Sequence, residues 1–423
     1  MNYLIETIGC QMNVCDSDAL GGVLLSYGAV KVNSLADCDA VILNTCAVRA
    51  QAEQKAFSFL GRAEEFKKEK KRGLKIVVVG CMAERLGTKI KKRFCGVDLV
   101  IGAKDIDNAA LKILNLCGMD KNERNEMRGE KSEITRFITI MRGCDNYCSY
   151  CIVPMVRGTE ISLDYNHILK ECALMAENGA KEIMLLGQNV NSYNFGDVNF
   201  AALVKKVSEI DGIERIRFMT NHPKDLNDEL IEVMASEPKV CSHIHLPMQS
   251  ASDKILKAMN RKYTYAHYLN LVEKLRKKIP DISITTDMIV GFPQEREEDF
   301  QASLQAVKDI RFGGLYVFRY SPRPHTKAAD MPDDVPLEEK KRRHAAILEE
   351  SNKISAEIVS GYVGSVREVL TEKYENGVLE ARTRSGRKVF VKGCEKDFGK
   401  NINVLIKEAK INSLFGDIDH EKA

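Results

Sequence analysis

Gly143-Cys144-Asp145-Asn146-Tyr147-Cys148-Ser149-Tyr150-Cys151-Ile152-Val153-Pro154 sets three cysteines in a CxxxCxxC spacing, close enough for one short loop to wrap a single inorganic centre. Tyr147 and Tyr150 lie between them. Iron–sulfur clusters are held by cysteine thiolates, often four to a cluster. Three thiolates on a cube leave one iron without a protein ligand, and an open coordination position is where chemistry can happen. A closed zinc site needs a fourth ligand, and no cysteine or histidine follows within the next dozen residues. The bland alternative is three structural cysteines on a turn, but free cysteines rarely crowd this way without a metal.

Upstream of the loop, Tyr3–Ile8, Ala40–Asn44 and Lys75–Val79 are short apolar runs, each followed by a helical pattern, which predicts a small parallel sheet with covering helices. Each run delivers a cysteine at its carboxyl edge: Gly9-Cys10, Thr45-Cys46 and Gly80-Cys81. That edge of an open α/β sheet is where ligands bind, and helix N-termini there favour the anionic thiolate. Three cysteines far apart in sequence are therefore expected to meet around a second metal centre. Cys15, Cys38, Cys95, Cys117, Cys172, Cys241 and Cys394 lack this placement and are expected to be buried small hydrophobes. The run Lys67–Gly73 reads as a solvated, glycine-stopped helix end, and residues 119–134, charged and poor in apolar side chains, as a linker.

Downstream, strand-like segments at 137–140, 182–186, 215–218, 243–246, 282–287 and 315–318 alternate with amphipathic helical stretches at 166–178, 200–210, 253–259, 265–278 and 296–310. Six β–α units predict a parallel barrel left incomplete relative to the eight of a closed one, with its site at the C-terminal strand ends. The cysteine loop follows the first of these strands. Polar and glycine-rich motifs follow the others, and Gly187, Gln188 and Gln249 are the candidate cofactor contacts there. His222, His243 and His245 are expected to be structural donors, and Glu295 to cap the next helix. Asp333-Asp334-Val335-Pro336 reads as the acidic cap and first-turn proline of a helix reaching Gly361. Alternating segments with turns at Asn376-Gly377 and Ser385-Gly386 then predict a small antiparallel β-barrel. Arg382, Arg384, Arg387, Lys388, Lys392, Lys396 and Lys400 form a basic strip on it, suited to phosphate contact.

A length of 423 residues exceeds one ordinary core. With 44% hydrophobic and 29% charged residues the composition is that of a soluble globular protein. The net charge of +3 excludes a basic coat for nucleic acid, so any such surface must arise from local clustering. Thirteen cysteines, an odd number, argue against a disulfide framework and for a reducing, cytoplasmic setting with metal or redox use. The chain starts MNYLIETIGC and runs straight into a strand pattern, so no signal peptide is expected, and no stretch reaches the length of a membrane span.

CxxxCxxC after the first strand of a partial barrel resembles the radical S-adenosylmethionine enzymes. Adding the strand-end cysteines and the terminal small barrel, the whole chain resembles the methylthiotransferases. Gly9-Cys10-Gln11-Met12-Asn13, Asn44-Thr45-Cys46-Ala47-Val48-Arg49, Gly80-Cys81-Met82-Ala83-Glu84-Arg85, Leu186-Gly187-Gln188-Asn189-Val190-Asn191 and His245-Leu246-Pro247-Met248-Gln249-Ser250 look like the branch acting on N6-isopentenyladenosine in tRNA. Ala251 and Ala381 stand where that pattern usually has glycine. The resemblance implies an α/β architecture with a Rossmann-like methylthiotransferase domain at 1–118, a linker at 119–134, a partial (β/α)6 radical core at 135–358 and an RNA-binding TRAM barrel at 360–423.

It further implies that Cys144, Cys148 and Cys151 are catalytic and hold a [4Fe–4S] cluster whose open iron is chelated by S-adenosylmethionine. One electron then yields a 5′-deoxyadenosyl radical, needed because an unactivated purine C–H is too weak an acid for side-chain bases. Cys10, Cys46 and Cys81 would hold an auxiliary [4Fe–4S] cluster carrying the sulfur to be methylated and inserted at carbon 2. The implied partners are tRNA with an isopentenylated anticodon loop, an electron donor such as flavodoxin or ferredoxin, and a sulfur donor, with no membrane and a monomeric state. A methylthiotransferase for a ribosomal protein or for threonylcarbamoyladenosine in tRNA is the alternative within enzymes. A non-catalytic iron–sulfur RNA-binding protein is the alternative outside them.

Overall fold

The computed structural model describes residues 1–47, 50–70, 72–119 and 133–419, so most of the predicted linker lies outside the described residues. The chain forms two compact units, one of residues 1–130, 142–145 and 151–161, the other of residues 131–141, 146–150 and 162–423.

In the first unit, strands β1 (Asn2–Ile8), β2 (Val30–Lys31), β3 (Ala40–Thr45), β4 (Lys75–Gly80) and β5 (Leu99–Gly102) make one parallel sheet in the order β2-β1-β3-β4-β5. Side chains alternate across a strand, and both faces are apolar. Val41, Leu43, Ile76 and Val78 pack on one side with Ala56, Phe59, Leu60 and Ala63 of helix α2 (Ala50–Glu69). Ile42, Val77 and Val79 pack on the other with Leu20 and Leu24 of helix α1 (Gln11–Ser26) and with Ile113 and Leu114 near the end of the unit. Every residue of β3 is buried, as a central strand covered on both faces requires.

The second unit holds two three-stranded parallel sheets. Their orders are Arg215–Phe218, Glu182–Leu186, Thr135–Thr139 and His243–His245, Ser283–Val290, Gly314–Arg319. Ile216 joins them, donating to Lys239 O at 2.8 Å and accepting from Cys241 N at 3.0 Å, so six strands curve into the open barrel expected. One apolar core runs through its interior and under the helices. The helix Leu337–Ser360 adds Ile347 and Ile354 to that core.

The helix start differs from expectation. Pro336 itself is the capping position and no side chain caps it, because Asp333 is drawn to Lys340 Nζ (2.6 Å) and Asp334 accepts from Gln294 N (2.7 Å). Glu295 is no helix cap either. It is buried and accepts from Arg343 Nη1 at 2.8 Å, bracing the long helix against the barrel. Of the seven cysteines expected to be buried, Cys38, Cys172 and Cys241 are, whereas Cys15, Cys117 and Cys394 are half-buried and Cys95 is exposed.

Strands Val366–Glu375, Val378–Thr383, Lys388–Lys392, Asn401–Lys410 and Ser413–Ile418 close a small barrel, antiparallel except where Lys388–Lys392 runs parallel to Ser413–Ile418. Its basic strip is largely spoken for. Arg382 pairs with Glu372 (2.7 and 2.9 Å) and Lys388 with Glu380, while Arg384 donates to the carbonyls of Pro238 and Val240 and Arg387 to that of Gly313. In return Arg215 and Arg217 of the core donate to the carbonyls of Arg382, Thr383 and Arg384. The small barrel is thus fastened by arginine-to-carbonyl bonds near the N-terminal ends of the core strands. Lys392, Lys396 and Lys400 remain exposed.

Candidate functional site

In the first unit the register settles where three cysteines fall. Ile8 lies opposite Thr45, and Thr45 opposite Gly80, so β1, β3 and β4 end level. Cys46 follows β3 directly, Cys81 follows β4 and opens a short helix (Cys81–Leu86), and Cys10 is the N-cap of α1. Gly80 must be glycine: its φ is +95°, and a Cβ there would come within 2.4 Å of Asn44 Oδ1 and 2.9 Å of Thr45 O.

Beneath the cysteines runs a buried polar network. Asn13 Nδ2 donates to Asn44 Oδ1 (2.9 Å), Asn44 Nδ2 donates to Asn13 O (2.9 Å) and Ser17 Oγ (3.0 Å), and Ser17 meets Thr7 Oγ1 (2.8 Å). Asn13 Oδ1 also accepts from Cys10 N and Cys10 Sγ, both at 3.3 Å. The network ties the start of α1 to the end of β3, fixing two of the three thiols.

Cys10 is the exposed member of the trio, and Cys46 and Cys81 are buried. Hydrogen bonding with Cys46, aided by the backbone of Asn13 and the charge of Arg157, pulls the Cys10 thiol down to about 6 against the pull of burial. Burial pushes the Cys81 thiol up, with Arg157 opposing. Ala47, Ala103, Ile152 and Val156 form an apolar seat around Cys81. Among the described residues, no three Cys, His, Asp or Glu side chains stand close enough to grip a single metal ion. The iron of a [4Fe–4S] cubane takes thiolate ligands. Softness, charge and a dry floor suit these thiols to such a cluster.

The CxxxCxxC loop divides between the units. Within the first, Cys144 N donates to Gly158 O (3.2 Å), and Gly143, at φ +76°, lies so close to Thr159 O that a Cβ has no room. Cys151 leads into the helix Val153–Arg157. Within the second, Ser149 Oγ donates to Ala258 O (2.9 Å), and Asn260 Nδ2 donates to the carbonyls of Asn146 and Tyr147 (3.2 and 2.9 Å). Arg261, buried, donates from Nη1 to Cys148 Sγ at 3.5 Å and from Nη2 to Pro247 O at 2.8 Å.

At the C-terminal ends of the core strands, five buried polar atoms lack partners: Gln188 Oε1, Asn189 Oδ1, Asn221 Oδ1, His222 Nε2 and Gln249 Oε1. Orphaned buried polar atoms are uncommon, and five along one rim, four amide oxygens and the Nε2 of His222, describe a mouth suited to a polar ligand. Gln249 also holds φ +67°, a strained value for a non-glycine residue. Gly187 has a packing role, since a Cβ would strike Met141 Cγ at 2.4 Å. His245 Nδ1 and His243 Nε2 both bond Thr285 Oγ1 (3.0 and 3.3 Å), as structural histidines do. Sequence reasoning passed over Arg157, Asp16 and Arg261, and met Asn221 only within the polar motif Asn221-His222-Pro223 that follows a core strand. For Asp16 a signal existed: Cys10, Asn13 and Asp16 repeat at three-residue spacing, which puts them on one helix face.

Open barrel, cysteine loop and terminal small barrel define a radical S-adenosylmethionine protein. The Radical SAM superfamily matches residues 138–307, the TRAM domain residues 361–418, and the uncharacterized protein family UPF0004 residues 2–102. A tRNA-2-methylthio-N(6)-dimethylallyladenosine synthase from Endomicrobium trichonymphae is 68% identical over 418 residues, covering 99% of this chain and all of that one. Its counterpart from Thermodesulfovibrio yellowstonii is 44% identical, covering 98% of both. This chain belongs to the tRNA-2-methylthio-N(6)-dimethylallyladenosine synthase family. Among solved structures, the radical S-adenosylmethionine methyltransferase TsrM from Kitasatospora setae shares the fold at a TM-score of 0.58 and 14% identity, over 78% of this chain and 77% of that one. Among the described residues no helix is long and apolar enough to cross a membrane.

Proposed function

We propose that this chain adds a methylthio group to carbon 2 of N6-isopentenyladenosine beside the anticodon of tRNA, by radical S-adenosylmethionine chemistry. Cys144, Cys148 and Cys151 hold one [4Fe–4S] cluster, and Cys10, Cys46 and Cys81 hold a second. When bound, these groups supply the one-electron cleavage of S-adenosylmethionine and the sulfur that is transferred. The observation that carries the reading is the level ending of three adjacent strands, each handing over a cysteine, in a chain that separately contains the CxxxCxxC loop.

The remaining roles belong to the protein. The orphaned atoms of Gln188, Asn189, Asn221, His222 and Gln249 bind and orient S-adenosylmethionine through its polar groups. Arg261 places a fixed cation beside Cys148. The apolar seat around Cys81 keeps water from the second cluster. On the small barrel, Lys392, Lys396 and Lys400 face solvent and supply phosphate contacts, since Arg384 and Arg387 are committed to carbonyls of the core and Arg382 to Glu372. The enzyme works in the cytoplasm as a monomer, served by an electron donor such as flavodoxin or ferredoxin and by a sulfur donor.

Iron and sulfide content of the anaerobically purified chain beside Cys10→Ala and Cys144→Ala tests the assignment. Each substitution is expected to remove about half of the iron. Cys10→Ala is expected to keep 5′-deoxyadenosine formation while losing 2-methylthio-isopentenyladenosine from tRNA. Full iron in either variant overturns the ligand assignment, and an unchanged nucleoside in a deletion strain overturns the substrate.

A further inference from the structure

Arg157 is a buried cation with an unfinished set of bonds. It ends the short helix that follows the cysteine loop, and its side chain is 5% exposed. Nη2 donates to Asp16 Oδ2 at 3.0 Å, and Asp16 is itself fully buried on the inner face of α1. The same carboxylate accepts from Arg142 Nη1 at 2.7 Å, and Arg142 reaches on to Asp107 at 3.2 Å. One buried carboxylate is therefore shared by two guanidinium groups, and Arg142 has a second carboxylate to itself while Arg157 does not.

The other terminal nitrogen, Nη1, is buried without a hydrogen-bond partner. Besides Asp16, the thiols of Cys81 and Cys10 face Arg157, and the Cys81 thiol lies within hydrogen-bonding reach of the guanidinium. A charged donor left unpaired inside a protein is costly, and its persistence calls for an acceptor. A guanidinium offers donors in a rigid fork. With one branch locked on Asp16, the other is aimed and cannot swing to solvent.

We infer that Arg157 is a positioning residue for the group held by Cys10, Cys46 and Cys81: its free Nη1 donates to a sulfur of that group, and its charge stabilises the group's more negative, reduced form. This rests on the reading of the trio as cluster ligands. Asp16 acts one step further out, orienting the guanidinium. Hydrogen bonds and positive charge at the sulfurs raise the reduction potential of an iron–sulfur cluster, so Arg157 makes this one easier to reduce than its thiolates alone would.

The test uses the full chain with Cys144, Cys148 and Cys151 all changed to Ala, reconstituted with iron and sulfide, so that only the trio's group contributes. Midpoint potentials come from a redox titration followed by electron paramagnetic resonance, with iron and sulfide measured on the same samples. Adding Arg157→Met is expected to leave iron content near the parent's and move the midpoint to more negative potential. Arg157→Lys, which keeps the charge and loses the fork, is expected to fall between. Should Arg157→Met lose its iron, Arg157→Lys decides: a lowered midpoint supports the proposal. An unmoved midpoint at full iron in either variant overturns it. A parent that binds no iron overturns the cluster reading instead, and Arg157's role with it.

Discussion

Replacing Arg217 by Met removes the central fastening between the radical core and the small barrel. Arg217 is 4% exposed and donates from Nε to Glu182 Oε2 at 2.8 Å, from Nη1 to Arg384 O at 3.0 Å and from Nη2 to Thr383 O at 2.7 Å. Its loss leaves Glu182, 1% exposed, with a long contact from Thr135 Oγ1 at 3.4 Å. Breaking a buried ion pair from one side costs about 3–5 kcal/mol, because the surviving charge stays buried. Arg215 lies opposite Glu182 in register and keeps part of the compensating field, so the lower end of about 3 kcal/mol is expected. At about 1.4 kcal/mol per decade, transient opening of this contact should rise on the order of 10²-fold.

Hydrogen–deuterium exchange of the amides in residues 378–392 reads that opening directly, and urea unfolding of the apo-protein gives a second measure. Arg217→Met with Glu182→Gln should recover at least half of the loss, because no unpaired charge remains. Unchanged exchange in the single variant, or a double variant as open as the single, would refute the reasoning.

Asn44→Ala deletes the hub of the polar network under the cysteines and leaves Asn13 and Ser17 short of partners, a loss of roughly 2–4 kcal/mol. Urea unfolding measures it, and iron retention in a Cys144→Ala background should fall in parallel. His243 governs part of the acid response. Burial, with Arg217, His245, Arg382 and Arg387 close by, pushes its imidazole down to about 3. The unfolded chain titrates near the ordinary value of about 6.5, so below that pH it takes up a proton that the folded state refuses. The stability of the apo-protein should therefore hold above about pH 7 and decline as pH falls from about 6.5 toward 3. His243→Gln should flatten part of that slope, and an equal slope in both proteins would exclude His243 as its source.

Much of the architecture can be read along the chain, because strands that sit between two layers of helices must be apolar throughout. Ala40–Thr45 and Lys75–Gly80, buried along almost their whole length, show this. Ser413–Ile418 was harder to see: its glycine and aspartate break the alternation, and it closes the small barrel by a parallel pairing that no local turn announces. Charged residues were the least legible. Arg384, Arg387 and Lys396 look alike in a basic strip, yet two of them end on carbonyls of the core and one on solvent. Glu295 reads as a cap and is half of a buried ion pair with Arg343, a residue 48 positions away.

The chain by itself determined its layers and the slots at which the six cysteines emerge, because hydrophobic period and glycine placement act over a few neighbouring residues. Tertiary structure alone decided which cations are spent inside, which polar atoms along the rim are left wanting a partner, and that Asp16 and Arg157 share one buried bond across 141 positions. A buried charge is stable only beside its counter-group, and in a folded chain that group is set by distance in space rather than by distance in sequence.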